Sequence, residues 1–92
     1  MGIEAMDFLN ELGIDKIGFE EDNKYIVELE DSNNYQELFE LLDTNDLVKL
    51  VEDSVEFEED YNKVTFVGGK YRLDLIADFK NEKYRLEVFE EE

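Results

Sequence analysis

Lys63-Val64-Thr65-Phe66-Val67-Gly68-Gly69-Lys70-Tyr71-Arg72-Leu73-Asp74-Leu75 reads as two strands joined by a tight turn. Val64 and Phe66 recur with a period of two before the glycines, and Tyr71, Leu73 and Leu75 do so after them. That period puts each set on one side of a pleated strand. Gly68-Gly69 is suited to a two-residue hairpin turn, because glycine adopts the positive φ that primed turns require. The turn pairs Phe66 with Tyr71 and Val64 with Leu73. Leu75, Ala77 and Phe79 extend the same face. A loop at Lys80-Asn81-Glu82-Lys83 then pairs Phe79 with Tyr84, Ala77 with Leu86 and Leu75 with Val88. Upstream, Val55 and Phe57 carry the same period. Residues 54–89 are therefore expected to form a four-stranded antiparallel meander with one apolar face.

The opposite face gives a second reading of this register. It sets Glu58 opposite Lys63, Lys63 opposite Asp74 and Asp78 opposite Arg85, so unlike charges meet each time. Such exposed pairs are worth only a few tenths of a kcal/mol each, so they bear on register rather than on stability.

The apolar face needs a cover, and the first half of the chain supplies helices. Ala5, Phe8, Leu9 and Leu12 fall at i, i+3, i+4 and i+7, which predicts a helix over about 3–12 capped by Gly13. Ile17 and Phe19 alternate, as do Tyr25, Val27 and Leu29, across the polar run Glu20–Lys24. This reads as a hairpin pairing Phe19 with Tyr25 and Ile17 with Val27. Whether it joins the main sheet is left open. Asp31-Ser32-Asn33-Asn34 is a cluster of turn and N-cap residues, and Asn34 with Glu37 has capping-box spacing. Tyr35, Leu38, Phe39 and Leu42 predict a helix over about 34–43. Asp43-Thr44-Asn45-Asp46 offers a new N-cap for a helix over about 46–53 through Leu47, Leu50 and Val51, with a strand from Val48 as the alternative. The expected fold is α+β in the order α-β-β-α-α-β-β-β-β, with the helices on one face of an antiparallel meander. It forms one domain over residues 1–92, with 90–92 as a frayed acidic tail.

Composition excludes much chemistry. The chain has no Cys and no His, which removes thiol catalysis, thiolate metal sites and the commonest general base. No apolar run approaches the roughly 18 residues of a membrane span. The first residues lack a basic start with an apolar core, and Met6 stands where a myristoylation signal needs Ser or Thr. Asp31-Ser32-Asn33-Asn34 and Asp43-Thr44-Asn45-Asp46 resemble the start of a calcium loop, but Gln36 and Val48 occupy the position that requires glycine. Gly68-Gly69-Lys70 lacks the spacing of a phosphate loop. No catalytic constellation, metal site or cofactor is expected. Only two Ala, two Arg and no Pro occur, the bias of an AT-rich genome. The expectation is a cytoplasmic protein of a bacterial host, with a phage as one source of the gene.

The chain carries 27 acids against nine bases, a net charge of −18. Residues 1–62 hold 20 acids and three bases, a net of −17, while residues 63–92 hold seven acids and six bases, a net of −1. Self-repulsion of this size opposes folding, which points to a function that uses the charge. The acids singled out are Glu37, Glu40, Asp43 and Asp46, and the run Glu52, Asp53, Glu56, Glu58, Glu59 and Asp60, which contains no base. Tyr61, in the same acidic stretch, is the aromatic expected at the surface as a binding anchor. Alternate strand residues such as Glu56 and Glu58 stand about 6.6 Å apart, a phosphate-like spacing. The expected partner is a basic protein surface, in particular a nucleic-acid-binding site, with no direct nucleic-acid or membrane binding. In acidity, size and amino-acid bias the chain is similar to phage-encoded DNA mimics that inhibit restriction or CRISPR systems. That likeness is one of composition alone, and no residue is carried over from it. The alternatives are an immunity- or antitoxin-like protein that captures a basic toxin, and an acidity that serves solubility alone.

Overall fold

A computed structural model describes residues 2–90, with the side chains of residues 2 and 3 outside that description. Two helices lie on one face of a seven-stranded antiparallel sheet, the α+β architecture expected from the periodicity. The chain runs through α1 (Gly2–Glu11), β1 (Phe19–Glu21), β2 (Lys24–Leu29) and α2 (Ser32–Asp43). It continues through β3 (Lys49–Leu50), a 3-10 turn (Glu52–Ser54), β4 (Glu56–Glu58), β5 (Tyr61–Gly68), β6 (Tyr71–Asp78) and β7 (Lys83–Glu90). The strand order is β1-β2-β7-β6-β5-β3, and β4 shares the outer edge of β5 with β3. The first hairpin joins the main sheet, because β2 pairs with β7 from Lys24 opposite Phe89 to Leu29 opposite Tyr84.

Directly opposed residues project to the same side of a sheet, so the register sorts the side chains into rows. On the helix side, Val27, Leu86, Leu75 and Val64 form one row, and Tyr25, Val88, Leu73 and Phe66 form the next. All eight are buried. Ala5 and Leu9 of α1, Leu12 in the turn after it, and Tyr35, Leu38 and Leu42 of α2 close over them, with Phe39 packed at the margin. The Phe8 ring stacks on Tyr71 at 4.6 Å between centroids, and the Phe39 ring meets Phe66 edge-on at 6.0 Å.

The three hairpins from β4 to β7 have the expected faces but a different register, and their turns explain why. In β5–β6 the turn is Gly69-Lys70, with Gly69 at φ +56°. Gly68 stays in the strand, where any Cβ would stand 2.3 Å from the Leu47 carbonyl oxygen. Phe66 therefore faces Leu73, and Val64 faces Leu75. In β6–β7 the Asp78 carboxylate accepts the backbone and side-chain N–H groups of Asn81, at 3.2 and 2.8 Å. This fixes the loop at Phe79–Glu82 and sets Ala77 opposite Tyr84 and Asp78 opposite Lys83. The same hydrogen bonds hold the Asp78 carboxyl below its usual range. A two-residue turn at Glu59-Asp60 likewise places Glu56, not Glu58, opposite Lys63. All three shifts are by two residues, which keeps every side chain on its face and changes only its partner.

The first hairpin differs by one residue, with the consequence that parity predicts. Asp22 and Asn23 both take positive φ, +49° and +67°, as a type I′ turn requires. Glu21 then faces Lys24 and Phe19 faces Ile26, so Phe19 is 45% exposed and Ile17 is 85% exposed. Tyr25, Val27 and Leu29 remain buried because their packing partners lie on β7.

The helix ends are built from local hydrogen bonds. Gly13, at φ +94°, ends α1 in a Schellman motif: Ile14 N–H donates to Leu9 O at 2.9 Å and Gly13 N–H to Asn10 O at 3.0 Å. The cap of α2 is Asp31, whose carboxylate accepts Asn34 N–H at 2.9 Å, while Asn34 Oδ1 accepts Glu30 N–H at 3.3 Å. The box is thus Asp31 with Asn34 rather than Asn34 with Glu37, and the helix starts earlier at Ser32. The segment 46–53 is not an α-helix. Lys49 and Leu50 instead pair with Val67 and Phe66, and Val51 N–H donates to Thr65 O at 2.9 Å. The unpaired edge of β5 offers this β-branched stretch hydrogen bonds that outweigh its helical spacing, and only the 3-10 turn Glu52–Ser54 remains helical. Glu90, read as the start of a tail, ends β7 and pairs with Lys70 at 3.2 Å; 91–92 lie outside the described residues.

Leu73 is fully buried in the central helix-side row. Leu73→Ala is expected to cost about 2–5 kcal/mol in urea unfolding, the range for deleting a buried leucine side chain. A loss below about 1 kcal/mol would contradict the placement of Leu73 on the buried face.

Candidate functional site

The acids of α2 follow from its amphipathic spacing. Tyr35, Leu38 and Leu42 turn inward, so Glu37, Glu40 and Asp43 form an exposed stripe with one member per turn. The last turn of α2 contains no base, and Asp43 stands where the helix dipole disfavours a negative charge. Asp46 is exposed in the turn that follows. Asn45 shapes that turn: its side chain accepts Leu47 N–H at 2.8 Å and donates to Leu12 O at 3.1 Å, tying the ends of the two helices together.

The second acidic group borders the outer edge of β5. Glu52 and Asp53 lie in the 3-10 turn, Glu56 and Glu58 on β4, and Glu59-Asp60 in the turn to β5. All six are exposed. Among the described residues none of them makes an ion pair. Glu56 faces Lys63 in register, but the Lys63 ammonium is directed to Asp74 at 3.8 Å.

Tyr61 is only half-exposed, at the start of β5. The exposed ring of this region is Phe57, 69% accessible at the centre of β4. Its alternation with Val55 reads as core, and Phe57 does project to the helix side, in a row with Asn62, Ala77 and Tyr84. That row reaches the edge of the sheet, where the ring remains accessible. Only the flanking Glu56 and Glu58 hint at this in the sequence.

The sheet face away from the helices is organised differently. Its central row is Ile26, Glu87, Asp74 and Thr65. Glu87 and Asp74 are directly opposed, and both are almost completely buried, at 5% and 3% exposure. Like charges so placed repel, and the surrounding groups offset the repulsion. Lys24 and Arg85 reach Glu87 at 3.3 and 2.8 Å; Lys63 and Arg72 reach Asp74 at 3.8 and 3.6 Å. Thr65 Oγ1 donates to Asp74 at 2.8 Å. Arg72 also lies over the Phe89 ring, 4.3 Å from its centroid. The stems of these long side chains cover the face that no helix covers.

Charge is therefore divided by sheet face. Strand parity puts six of the nine bases on the open face: Lys24, Lys49, Lys63, Arg72, Lys83 and Arg85. With them stand seven acids: Glu21, Glu28, Glu56, Glu58, Asp74, Asp78 and Glu87. Elsewhere the described chain has three bases, Lys16, Lys70 and Lys80, among its remaining acids. Lys70 lies between Glu4 at 3.0 Å and Glu90 at 3.2 Å, which raise its pKa well above the usual lysine range.

Among the described residues no group of three or more carboxylates is arranged to hold a metal ion, and no helix is long and apolar enough to cross a membrane. No protein-family model, no curated protein and no solved structure matches the chain.

The buried Asp74 carboxylate depends on its hydroxyl donor. Thr65→Val keeps the β-branched shape and removes that hydrogen bond, so a loss of about 1.5–3 kcal/mol is expected in urea unfolding. A neutral result would show that the bases alone satisfy Asp74. The exposed acids repel one another through water, whereas the ion pairs of the open face are partly buried and screened less. The melting temperature should therefore rise between about 0.01 and 0.1 M NaCl, over which the screening length falls from about 30 to about 10 Å. A falling melting temperature would mean that the ion pairs dominate.

Proposed function

We propose that this protein binds a positively charged partner through its acidic surface and so inhibits or sequesters it, the occupied site being the nucleic-acid-binding site of a host protein. The observation that carries the reading is the division of charge. Most of the bases are committed to the open sheet face, while Glu37, Glu40, Asp43 and Asp46, and the group from Glu52 to Asp60, stay exposed. Folding gains nothing from this, and the acids at the end of α2 oppose its dipole. A basic groove gains a great deal from it. Glu56 and Glu58 lie on one side of a strand about 6.6 Å apart. A duplex presents about one charge per 1.7 Å of axis to the proteins that bind it. Inhibitors of restriction or CRISPR nucleases encoded by phage are the class to which this chemistry belongs.

The experiment is competition. The protein is immobilised, a bound protein is recovered from host lysate, and short duplex DNA or RNA is added. Nucleic acid should release the bound protein. A variant with Glu52, Asp53, Glu56, Glu58, Glu59 and Asp60 changed to their amides should associate more slowly and with weaker salt dependence. Simultaneous binding of nucleic acid and this protein would refute mimicry and leave the immunity-like reading. An amide variant that binds as fast and as salt-sensitively as the wild type would refute both.

A further inference from the structure

The edge strand β4 is both charged and open. It pairs with β5 on one side, and no strand lies on its other side among the described residues. Glu58 and Tyr61 flank the two-residue turn Glu59-Asp60 and so form a hydrogen-bonded pair. By the alternation of an antiparallel ladder, Phe57 and Asn62 are then a non-bonded pair, and the amide and carbonyl of Phe57 point away from β5. The same residue carries the ring that is 69% exposed. Its neighbours Glu56 and Glu58 project to the opposite side of the strand and make no ion pair among the described residues. One residue thus offers an unpaired backbone and an apolar ring, between two carboxylates.

We infer that β4 receives an extended segment of the basic partner by strand addition, and that this segment has a lysine or arginine on each side of an apolar residue. The apolar residue pairs with Phe57 through the backbone and lies against its ring. The flanking bases fall opposite Glu56 and Glu58, where unlike cross-strand charges attract. A second copy of this chain does not fit, because two β4 edges would bring four carboxylates together. The inference rests on the reading that the acidic surface receives a basic partner, and it assigns that partner a strand and a side-chain pattern.

Two probes separate strand addition from general attraction: a peptide of alternating lysine and leucine, and an oligolysine of equal charge. Binding is followed by fluorescence anisotropy of labelled peptide at low salt. The alternating peptide should bind the wild-type protein more tightly than oligolysine does. Phe57→Ser should weaken the alternating peptide about tenfold or more and leave oligolysine unchanged. Methylating the backbone nitrogens of the leucines should weaken binding to the wild-type protein similarly, a result that does not depend on any variant folding. Undiminished binding after either change, or equal binding of the two probes, overturns the inference. Oligolysine binding that persists in those cases leaves the acidic-surface reading intact, whereas failure of both probes to bind overturns both.

Discussion

Two helices cover one face of a seven-stranded sheet, and the other face has to be closed by its own side chains. The rest of the structure answers to that asymmetry. On the covered side the demand is met by alternating apolar residues against Ala5, Leu9, Leu38 and Leu42. On the open side long charged side chains lie over the strands and leave Ile26, Ile76, Asp74 and Glu87 less than a tenth exposed. Lys24, Lys63, Arg72 and Arg85 serve two purposes there. Their methylene stems exclude water, and their charges hold two opposed carboxylates that would otherwise repel.

That arrangement decides where the net charge acts. A chain with nine bases that places six of them on one face leaves few to balance acids elsewhere. The acids of α2 are left without ion pairs among the described residues, and Glu56, though opposite Lys63, is left so because that ammonium turns to Asp74; no ordinary need of the fold places a carboxylate in the last turn of a helix. The centre of the open face, where four bases hold Asp74 and Glu87, is internally bonded and so stabilising, whereas Glu56 and Glu58 stand at its β4 margin outside those pairs. Exchanging Arg85 or Lys63 for an acid would disturb a buried carboxylate, a larger effect than that of an exposed pair.

The sheet's two edges are also unlike. At one end β1 is short and lined by Glu20 and Glu21, with Phe19 half-covered. At the other the edge is broken into β3 and β4 by the 3-10 turn, which shortens it and limits uncontrolled pairing. Charge on an edge also selects against pairing with a like-charged strand, because like charges directly opposed across strands repel.

The amino-acid sequence by itself determined the class of fold and the faces of α1, α2, β2 and β4 to β7, though not of β1. The period of 3.6 in Ala5–Leu12 and Tyr35–Leu42 and the period of two from Val64 to Val88 are strong signals, because burial enforces them at every position. The Gly13 cap and the positions of the acids on α2 follow from the same periods. The candidate acids were legible as a base-free run, but their lack of ion pairs was not, since that depends on which bases the strands place beside them. Register was decided only by the tertiary structure. A shift of two residues leaves every face intact, so hydrophobic pattern is blind to it, and the choice fell to Gly68 against Leu47 and Asp78 with Asn81; the positive φ of Asp22 and Asn23 imposed a one-residue shift that did change the face of β1. The fate of residues 46–53 was likewise decided by the open edge of β5. Phe57 reads as core because parity says which side a ring points to; whether anything covers that side depends on the distant chain that packs there.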